Sequence, residues 1–173
     1  MPTVIIRPDA ISSDSGFDQT GSNLLSRIND NDTGTFVVNN TSTGAFTATI
    51  ENSSAYSGAT INNVVVSVTG NTINAKVPEA SFEVRLLNAS DTILQSSTLT
   101  FTPTEAKENT EAYSTSLTPS VVDGFKLTGA VDEPGFILKE VFITVDYTAA
   151  ASGGGTITLS SGKITLTSGK ITL

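Results

Sequence analysis

The sequence predicts an all-β protein, an antiparallel jelly-roll β-sandwich with one short helix, followed by a C-terminal seven-residue β repeat. Three observations predict this class: stretches that alternate apolar and polar residues, a composition rich in Thr, Ser, Asn and Gly, and a repeated unit at the C-terminus. Only 15% of residues are charged, against about 25% in typical domains. Thr and Val suit a pleated, half-buried surface, and Ser, Asn and Gly favour turns.

Alternation of period two predicts the strands, because successive side chains in a strand point to opposite faces. The clearest examples are Phe82 to Leu86 and Val141 to Tyr147, and Ile61 to Thr69 is a third. The other predicted strands are Thr35 to Asn39, Ala45 to Ile50, Thr92 to Ser97, Thr98 to Thr102, Ala112 to Leu117 and Phe125 to Leu127. Many short strands in succession are typical of an antiparallel sandwich.

One short helix is predicted at Ser22 to Ile28, where Ser22 or Asn23 can cap it and Leu24, Leu25 and Ile28 share a face. The next segment, Asp30-Asn31-Asp32-Thr33-Gly34, resembles the start of a Ca²⁺ loop. An EF-hand also needs Gly at position 6 and Glu at position 12, where this chain has Thr35 and Thr41. We therefore expect an Asx-rich turn and no cofactor, with Ca²⁺ at Asp30 and Asp32 as the alternative.

Composition also excludes several classes of function. Nine basic and 17 acidic side chains give a net charge of −8, which disfavours nucleic acid and anionic membranes as partners. The absence of His and Cys removes the Ser-His-Asp and Cys-His nucleophiles and the usual imidazole and thiolate metal sites. Carboxylates are numerous, but no pair stands out for acid–base catalysis. We therefore expect a protein that is not an enzyme.

The chain divides into residues 1–148, the predicted sandwich, residues 149–155, an Ala/Gly linker, and residues 156–173, the β repeat. Residues 1–150 contain 7 basic and 17 acidic side chains, a net charge of −10, whereas residues 151–173 add two lysines and no acid. The tail is therefore basic and the sandwich acidic.

The tail consists of three copies of one seven-residue unit, each with the sequence Ile-Thr-Leu. Alternation puts the Ile and Leu side chains of a copy on one side. So short a segment cannot bury this apolar strip by itself. We expect neighbouring copies of the chain to cover it, with a homotrimer favoured; the alternative is a hairpin folded back on its own sandwich. The predicted assembly residues are Ile157, Leu159, Ile164, Leu166, Ile171 and Leu173, with Lys163 and Lys170 facing acidic partner surface.

Aromatic residues divide into candidate sugar platforms and core. Tyr56 and Tyr113, in polar surroundings, are the predicted exposed rings. The predicted core rings are Phe17, Phe36, Phe46, Phe82, Phe101, Phe125, Phe136 and Phe142. Asp9, Asp14 and Asp18 lie among Ser and Gly and are expected in a solvated loop.

The opening Thr3 to Pro8 segment, the Leu24 to Ile28 helix, the Thr35 to Val37 strand, and the strands at Val84 to Leu86 and Val141 to Tyr147 together resemble a known pattern. It is similar to the jelly-roll sandwich domains, galactose-binding-like and carbohydrate-binding-module-like, of virion proteins in tailed bacteriophages, especially marine and cyanobacterial ones. This resemblance covers roughly residues 3–148, and no functional residue carries over from it.

The resemblance implies a capsid decoration, head fibre or tail appendage that docks to other virion proteins. A start without a basic, apolar leader leads us to expect synthesis in a host cytoplasm and a place in the virion. The alternatives are a carbohydrate-binding module, which would bind a host glycan, and a cell-surface fibre subunit.

Overall fold

The chain forms two antiparallel β-sheets that pack face to face. The computed structural model describes residues 1–18, 24–30, 34–73, 79–103, 107–113, 117–150, 158–160 and 163–165. Within these residues no helix has the length and apolar character needed to cross a membrane. The predicted all-β sandwich is confirmed.

The strands are named β1 to β13 in chain order. They are β1 (Thr3–Ile6), β2 (Pro8–Ser15), β3 (Phe17–Asp18), β4 (Val37–Asn39), β5 (Gly44–Ile50), β6 (Thr60–Thr72), β7 (Ala80–Leu87), β8 (Ile93–Phe101), β9 (Lys107–Tyr113), β10 (Lys126–Val131), β11 (Phe136–Thr148), β12 (Thr158–Ser160) and β13 (Lys163–Thr165). The helices are α1 (Leu24–Ile28), α2 (Pro119–Val122) and a single 3-10 turn at Ser54–Tyr56.

Two large sheets and one small one contain these strands. The six-stranded sheet has the order β3-β4-β11-β6-β9, and β1 pairs with the far end of β11. The five-stranded sheet has the order β2-β5-β10-β7-β8, and among the described strands β12 pairs only with β13. All described pairings are antiparallel. The chain crosses repeatedly between the large sheets, so most neighbours in a sheet are distant in sequence; β7 and β8 are consecutive strands that pair directly.

Aromatic rings fill the space between the two large sheets. The ring of Phe82 stacks on Phe136 with centroids 5.3 Å apart, and Phe101 meets Phe136 edge-on at 5.2 Å. Phe46 lies 6.4 Å from Phe82 and 6.1 Å from Phe17. Such offset and edge-to-face pairs add about 0.5–1.5 kcal/mol each beyond area burial. These rings therefore form the layer against which the five-stranded sheet packs.

At Arg7 the chain crosses from the six-stranded sheet to the five-stranded sheet, since β1 ends one residue earlier and β2 begins one later. The Arg7 N–H donates to Glu51 Oε1 at 3.0 Å, and the Glu51 N–H donates back to the Arg7 carbonyl at 2.9 Å. Its guanidinium lies 5.3 Å from the centroid of the Phe142 ring and 3.6 Å from Glu140 Oε1. These contacts fix where β2 starts.

The structure corrects several sequence predictions of elements. There are two short α-helices in the described residues, not one, because Pro119 begins a second after Thr118. Thr92 to Ser97 and Thr98 to Thr102 are one continuous strand, β8, since no Gly, Pro, Asn or Asp interrupts them. The Ala112 to Leu117 prediction overlaps β9 only at its start.

Strand β2 was not predicted, and it overturns the expected solvated loop. Asp9 and Asp14 lie on β2, where both are exposed, and Asp18 ends β3. Two bulges, between Pro8 and Ala10 and between Ile11 and Ser13, break the alternation of β2 with its neighbour. A bulge adds one residue to one strand and shifts the phase of its pattern, so period two is not visible in this segment.

Candidate functional site

A groove crosses the outer face of the five-stranded sheet, the face directed away from the aromatic core. Two adjoining depressions form it, with volumes of about 390 Å³ and about 400 Å³, and both are lined by Ala45, Glu83 and Ala130. Each is within the range of about 300–1,000 Å³ typical of ligand pockets. This groove is the candidate site.

Strand register brings the groove residues together in two rows. The first row reads Ser15, Ala45, Ala130, Glu83, Thr98, and the second reads Ser13, Thr47, Thr128, Arg85, Ser96. The central strands β5 and β10 contribute only alanine and threonine to these rows. Small side chains in the middle and longer ones on β7 leave a depression in the sheet surface.

Gly129 lets the aromatic core lie close beneath this floor. It occupies the inward position of β10 between Thr128 and Ala130, and a Cβ built there would overlap the rings of Phe46 and Phe82. A glycine is therefore required by the close approach of both rings to the β10 backbone. The Phe46 and Phe82 rings therefore support the backbone of the groove floor from the core side.

One wall is a charged pair on β7. Arg85 Nε donates to Glu83 Oε1 and Arg85 Nη2 to Glu83 Oε2, both at 2.8 Å, and Ser96 Oγ donates to Glu83 Oε1 at 3.0 Å. The hydrogen bonds from Arg85 lower the pKa of Glu83 below its ordinary value, and the Ser96 hydroxyl adds to this effect. The bidentate geometry orients both groups along the groove.

The opposite wall is the edge strand β2. Ser13, Asp14 and Ser15 line the groove, and all three are exposed. The hydroxyl of Ser12 donates to the Thr47 carbonyl at 3.2 Å, which ties the bulged strand to β5. The wall therefore presents two hydroxyls and one carboxylate.

The lining of this groove offers groups that can bind a polar ligand. Its lining offers hydroxyls, three carboxylates (Asp14, Glu83, Asp132) and one guanidinium. A general acid needs a carboxyl with a raised pKa, whereas the pKa of Glu83 is lowered. The groove is also lined by Phe46, but its ring is only 2% exposed, so it offers no stacking platform. In the described residues no three acidic side chains form a metal site.

The predicted assembly residues are only partly within the described chain. Leu159 lies on β12, and Lys163 and Ile164 lie on β13; the register pairs Leu159 with Ile164 and Ser160 with Lys163. The other predicted residues, Ile157, Leu166, Lys170, Ile171 and Leu173, lie outside the described residues. No contact of this tail with another chain is part of the structure, so the predicted interface stays a prediction.

The predicted Ca²⁺ ligands are likewise only partly described. Asp30 is exposed and accepts a hydrogen bond from the Thr35 hydroxyl, an arrangement that an Asx-type turn provides without a cation. Asp32 lies outside the described residues. Ca²⁺ binding at Asp30 and Asp32 stays an alternative without support from this geometry.

Tyr56, predicted as an exposed sugar platform, is instead fully buried. Its hydroxyl donates to Asp123 Oδ1 at 2.8 Å, and its ring meets Tyr147 edge-on at 6.4 Å. Burial raises the pKa of Tyr56 above its usual range, and the hydrogen bond to Asp123 adds to the rise. The side chain of Tyr113, the second predicted platform, lies outside the described part of the chain.

Most of the predicted core rings are confirmed. Phe36 is the exception, at 44% exposure, and Phe142 is half-buried beneath Arg7. Six rings are buried as predicted: Phe17, Phe46, Phe82, Phe101, Phe125 and Phe136. Side chains alternate between the two faces of a strand, and those of Val37 and Asn39 are buried. Phe36 and Val38 occupy the alternate positions and therefore lie on the outward side.

Sequence reasoning did not find the groove. One signal was present: the outward positions of two strands, Ala45 and Thr47 on one and Thr128 and Ala130 on the other, are small. These residues can be recognised as the floor of a groove only when the two strands are known to be neighbours and the register of their pairing is known. That relation spans more than eighty residues and is set by the fold.

Comparison with known proteins gives only remote similarities. No protein-family model matches this chain, and no curated protein matches its sequence. The native structure of a family 35 carbohydrate binding module from Clostridium thermocellum aligns with a TM-score of 0.44 at 12% identity, over 87% of this chain and 100% of that chain. The arabinose-bound α-L-arabinofuranosidase MgGH51 aligns with a TM-score of 0.36 at 11% identity, over 64% of this chain and 22% of that chain.

Proposed function

We propose that this protein is a non-enzymatic carbohydrate-binding module that holds a neutral glycan in the groove of its five-stranded sheet. The observation that carries this proposal is the pair of rows in which Ala45 and Ala130 form a floor between the Glu83–Arg85 pair and the hydroxyls of β2. A sugar ring has a flat body with hydroxyls around its rim. A flat floor with donors and acceptors on both sides complements that shape.

Hydrogen bonding would provide the specificity of this site. Glu83 accepts and Arg85 donates, and an ionised partner makes hydrogen bonds about twice as strong as neutral ones. Arg85 carries five N–H donors, and the pair with Glu83 engages two of them. Ser13, Ser15 and Thr98 add hydroxyls that can both donate and accept.

Groove filling tests the proposal. We expect Ala130→Leu to weaken binding of a neutral oligosaccharide about tenfold or more, a loss of about 1.4 kcal/mol, because the isobutyl group would occupy the floor. The measurement is calorimetric titration of the purified chain with xylo-, cello-, manno- and galacto-oligosaccharides. NMR shift mapping on the same samples locates the bound sugar.

The matched control is Thr144→Leu, which places a leucine on the outer face of the six-stranded sheet, where Thr144 is half-buried. It should leave binding unchanged. Absence of binding across the oligosaccharide panel, or equal weakening by both variants, would contradict the groove as the site.

A second candidate function is self-assembly through the C-terminal repeat, as in a virion structural protein. The observation that favours it is the hairpin of β12 and β13, which pairs two copies of the repeat with Leu159 opposite Ile164. Directly opposed residues share a face of a hairpin, and an isolated two-stranded hairpin is marginally stable in water. Neighbouring chains would supply the missing cover. A homotrimer, docking to other virion proteins, and a place in the virion stay predictions.

A further inference from the structure

The edges of the two large sheets differ in how they are protected. An edge strand exposes unpaired N–H and C=O groups, and proteins block these edges with charges, proline, bulges or short length. On the five-stranded sheet, the edge strand β2 contains two bulges together with Pro8, Asp9 and Asp14. This edge is therefore poorly suited to pairing with another strand.

The edges of the six-stranded sheet are protected in similar ways. Strand β9 carries Lys107, Glu108 and Glu111 in its sequence. On the other side, β1 has four residues and follows Pro2, and β3 has only two residues. Length or charge limits pairing at each of these strands.

Strand β8 differs, because it is long and uncharged and its described bulge lies near its start, between the Leu86–Gln95 and Leu87–Ile93 pairs. Its nine residues, Ile93 to Phe101, include no charged residue, no proline and no glycine. In the described part of the chain it pairs with β7 and with no other strand. Ser96, Thr98 and Thr100 on its outer face are exposed, and Ile93 is 50% exposed. A long, uncharged edge of this kind favours strand addition.

Two charged groups near the start and the middle of β8 are paired within the subunit, whereas the exposed Glu79 lies at its far end, next to the Ala80–Phe101 pair. Glu83 on the neighbouring strand is paired with Arg85, and Lys126 Nζ lies 2.7 Å from Asp91 Oδ1 just before β8 begins. The chain as a whole has a net charge of −8, so two copies repel each other over most of their surface. The β8 edge is a place where a second copy can approach without like charges facing each other.

We propose that β8 pairs antiparallel with β8 of a second copy around a two-fold axis near Ser97. Such an isologous contact joins two five-stranded sheets into one continuous sheet and leaves no free edge at β8. It sets Ser96 of one chain opposite Thr98 of the other, and Thr98 opposite Ser96. Ser and Thr pairs across strands are favourable because their hydroxyls can hydrogen-bond.

Two grooves would then lie side by side on the outer face of the joined sheet, since Ser96 and Thr98 end the groove rows at β8. A polymeric glycan could contact both grooves, which raises the apparent affinity by linking the binding events. This consequence rests on the proposed carbohydrate function, whereas the pairing of β8 does not.

The native mass of the full-length chain tests the pairing. We expect Thr98→Lys to halve the mass shown by wild type and to raise the dissociation constant of the pair about tenfold or more. The two introduced lysines would lie diagonally across the axis, about 7–8 Å apart, where like charges repel. Thr144→Lys, on the outer face of the other sheet, is the matched control and should retain the wild-type mass. A monomeric wild type, or a mass that Thr98→Lys leaves unchanged, would overturn the proposal.

Cysteine cross-linking provides a second readout that does not depend on weakening the contact. The chain has no native cysteine, so Ser97→Cys introduces a single thiol per chain. In the proposed pair the two introduced cysteines would lie opposite each other across the axis. The Cα–Cα distance of opposed residues in antiparallel strands suits a disulfide. Mild oxidation should link two chains through Ser97→Cys and leave Thr144→Cys unlinked. Equal linking of both variants, or linking of neither, would contradict the β8 contact, whether or not glycan binds.

Discussion

At the scale of single residues, the Glu83–Arg85 pair has the clearest consequence. The carboxylate is held by two hydrogen bonds from one guanidinium and a third from a hydroxyl on the next strand. These bonds are stronger to the ionised carboxylate than to the protonated carboxyl, which is why the pKa of Glu83 lies below its ordinary value of 4.5. The hydrogen bonds that orient Glu83 and Arg85 in the groove wall therefore depend on pH.

A pH dependence of stability follows from this lowered pKa. Because the folded pKa is below the unfolded value, the contribution of Glu83 to stability is present above pH 4.5 and is lost as pH falls through the folded pKa. We expect wild type to unfold at a higher temperature than Glu83→Gln at pH 7, with the difference shrinking below pH 4.5. Thermal unfolding followed by circular dichroism from pH 7 to acid measures this difference.

The control for this prediction is Glu133→Gln, because Glu133 is exposed on the turn before β11. Its unfolding temperature should follow that of wild type at each pH. A difference between wild type and Glu83→Gln that stays constant through the acid range would show that the ion pair does not contribute through ionisation.

Two aromatic residues show how residue-scale inference depends on context. Tyr56 has polar neighbours in sequence, yet the 3-10 turn at Ser54–Tyr56 directs its ring inward. Asp123, sixty-seven positions away, accepts a hydrogen bond from its hydroxyl. Phe36 is apolar and yet 44% exposed. Neither position is determined by its local sequence alone.

At the scale of elements, the C-terminal hairpin is the feature that the sequence marked most clearly. The repeat copies at β12 and β13 pair with Leu159 opposite Ile164 and Thr158 opposite Thr165. Alternation along each strand separates the aliphatic positions from the threonine positions. We therefore expect one face of the hairpin to be aliphatic and the other to be polar.

This two-faced hairpin predicts the effect of a charge on each side. If neighbouring copies cover the aliphatic face, Ile164→Asp should dissociate the assembly, because an unpaired carboxylate in an apolar contact is costly. Thr165→Asp, the adjacent residue on the opposite face, is the matched control and should retain the assembly. Analytical ultracentrifugation of the full-length variants measures this, and retention of the assembly by Ile164→Asp would contradict the predicted role of the tail.

Strong alternation also explains which elements were predictable. Strand β7 and the Val141–Tyr147 part of β11 were predicted because their inward residues are apolar. The first part of β11 was not predicted, and there a bulge lies between Leu138 and Glu140 and the Glu140 side chain is buried. Strand β2 escaped prediction because two bulges break its phase. Helix α2 escaped because four residues give too little periodicity for a pattern to appear.

At the scale of the whole molecule, charge is distributed unevenly along the chain. Residues 1–150 carry a net charge of −10, and the two lysines of residues 151–173 bring the chain to −8. The groove is also acidic, because its lining includes the carboxylates of Asp14, Glu83 and Asp132 and the single guanidinium of Arg85. The electrostatic field at the groove is therefore unfavourable for anions.

We accordingly expect selectivity against charged glycans. Polygalacturonate and sulfated oligosaccharides should bind more weakly than neutral oligosaccharides of the same length at low salt. The gap should narrow as salt is raised, because screening shortens the range of the repulsion. Titrations at low and high ionic strength measure both effects, and tighter binding of an anionic glycan at low salt would contradict the proposed specificity.

The sequence by itself determined that this chain is a β-sandwich, most of its strands and core rings, and the distinct repeat at its end. These features are local: alternation, turn residues and repetition are visible within a few residues of one another. Only the tertiary structure decided where the groove lies, that β8 is an edge strand in the described part of the chain, and that Tyr56 is buried. Each of these depends on which distant strands become neighbours and in what register, and register follows from packing both sheets against one core.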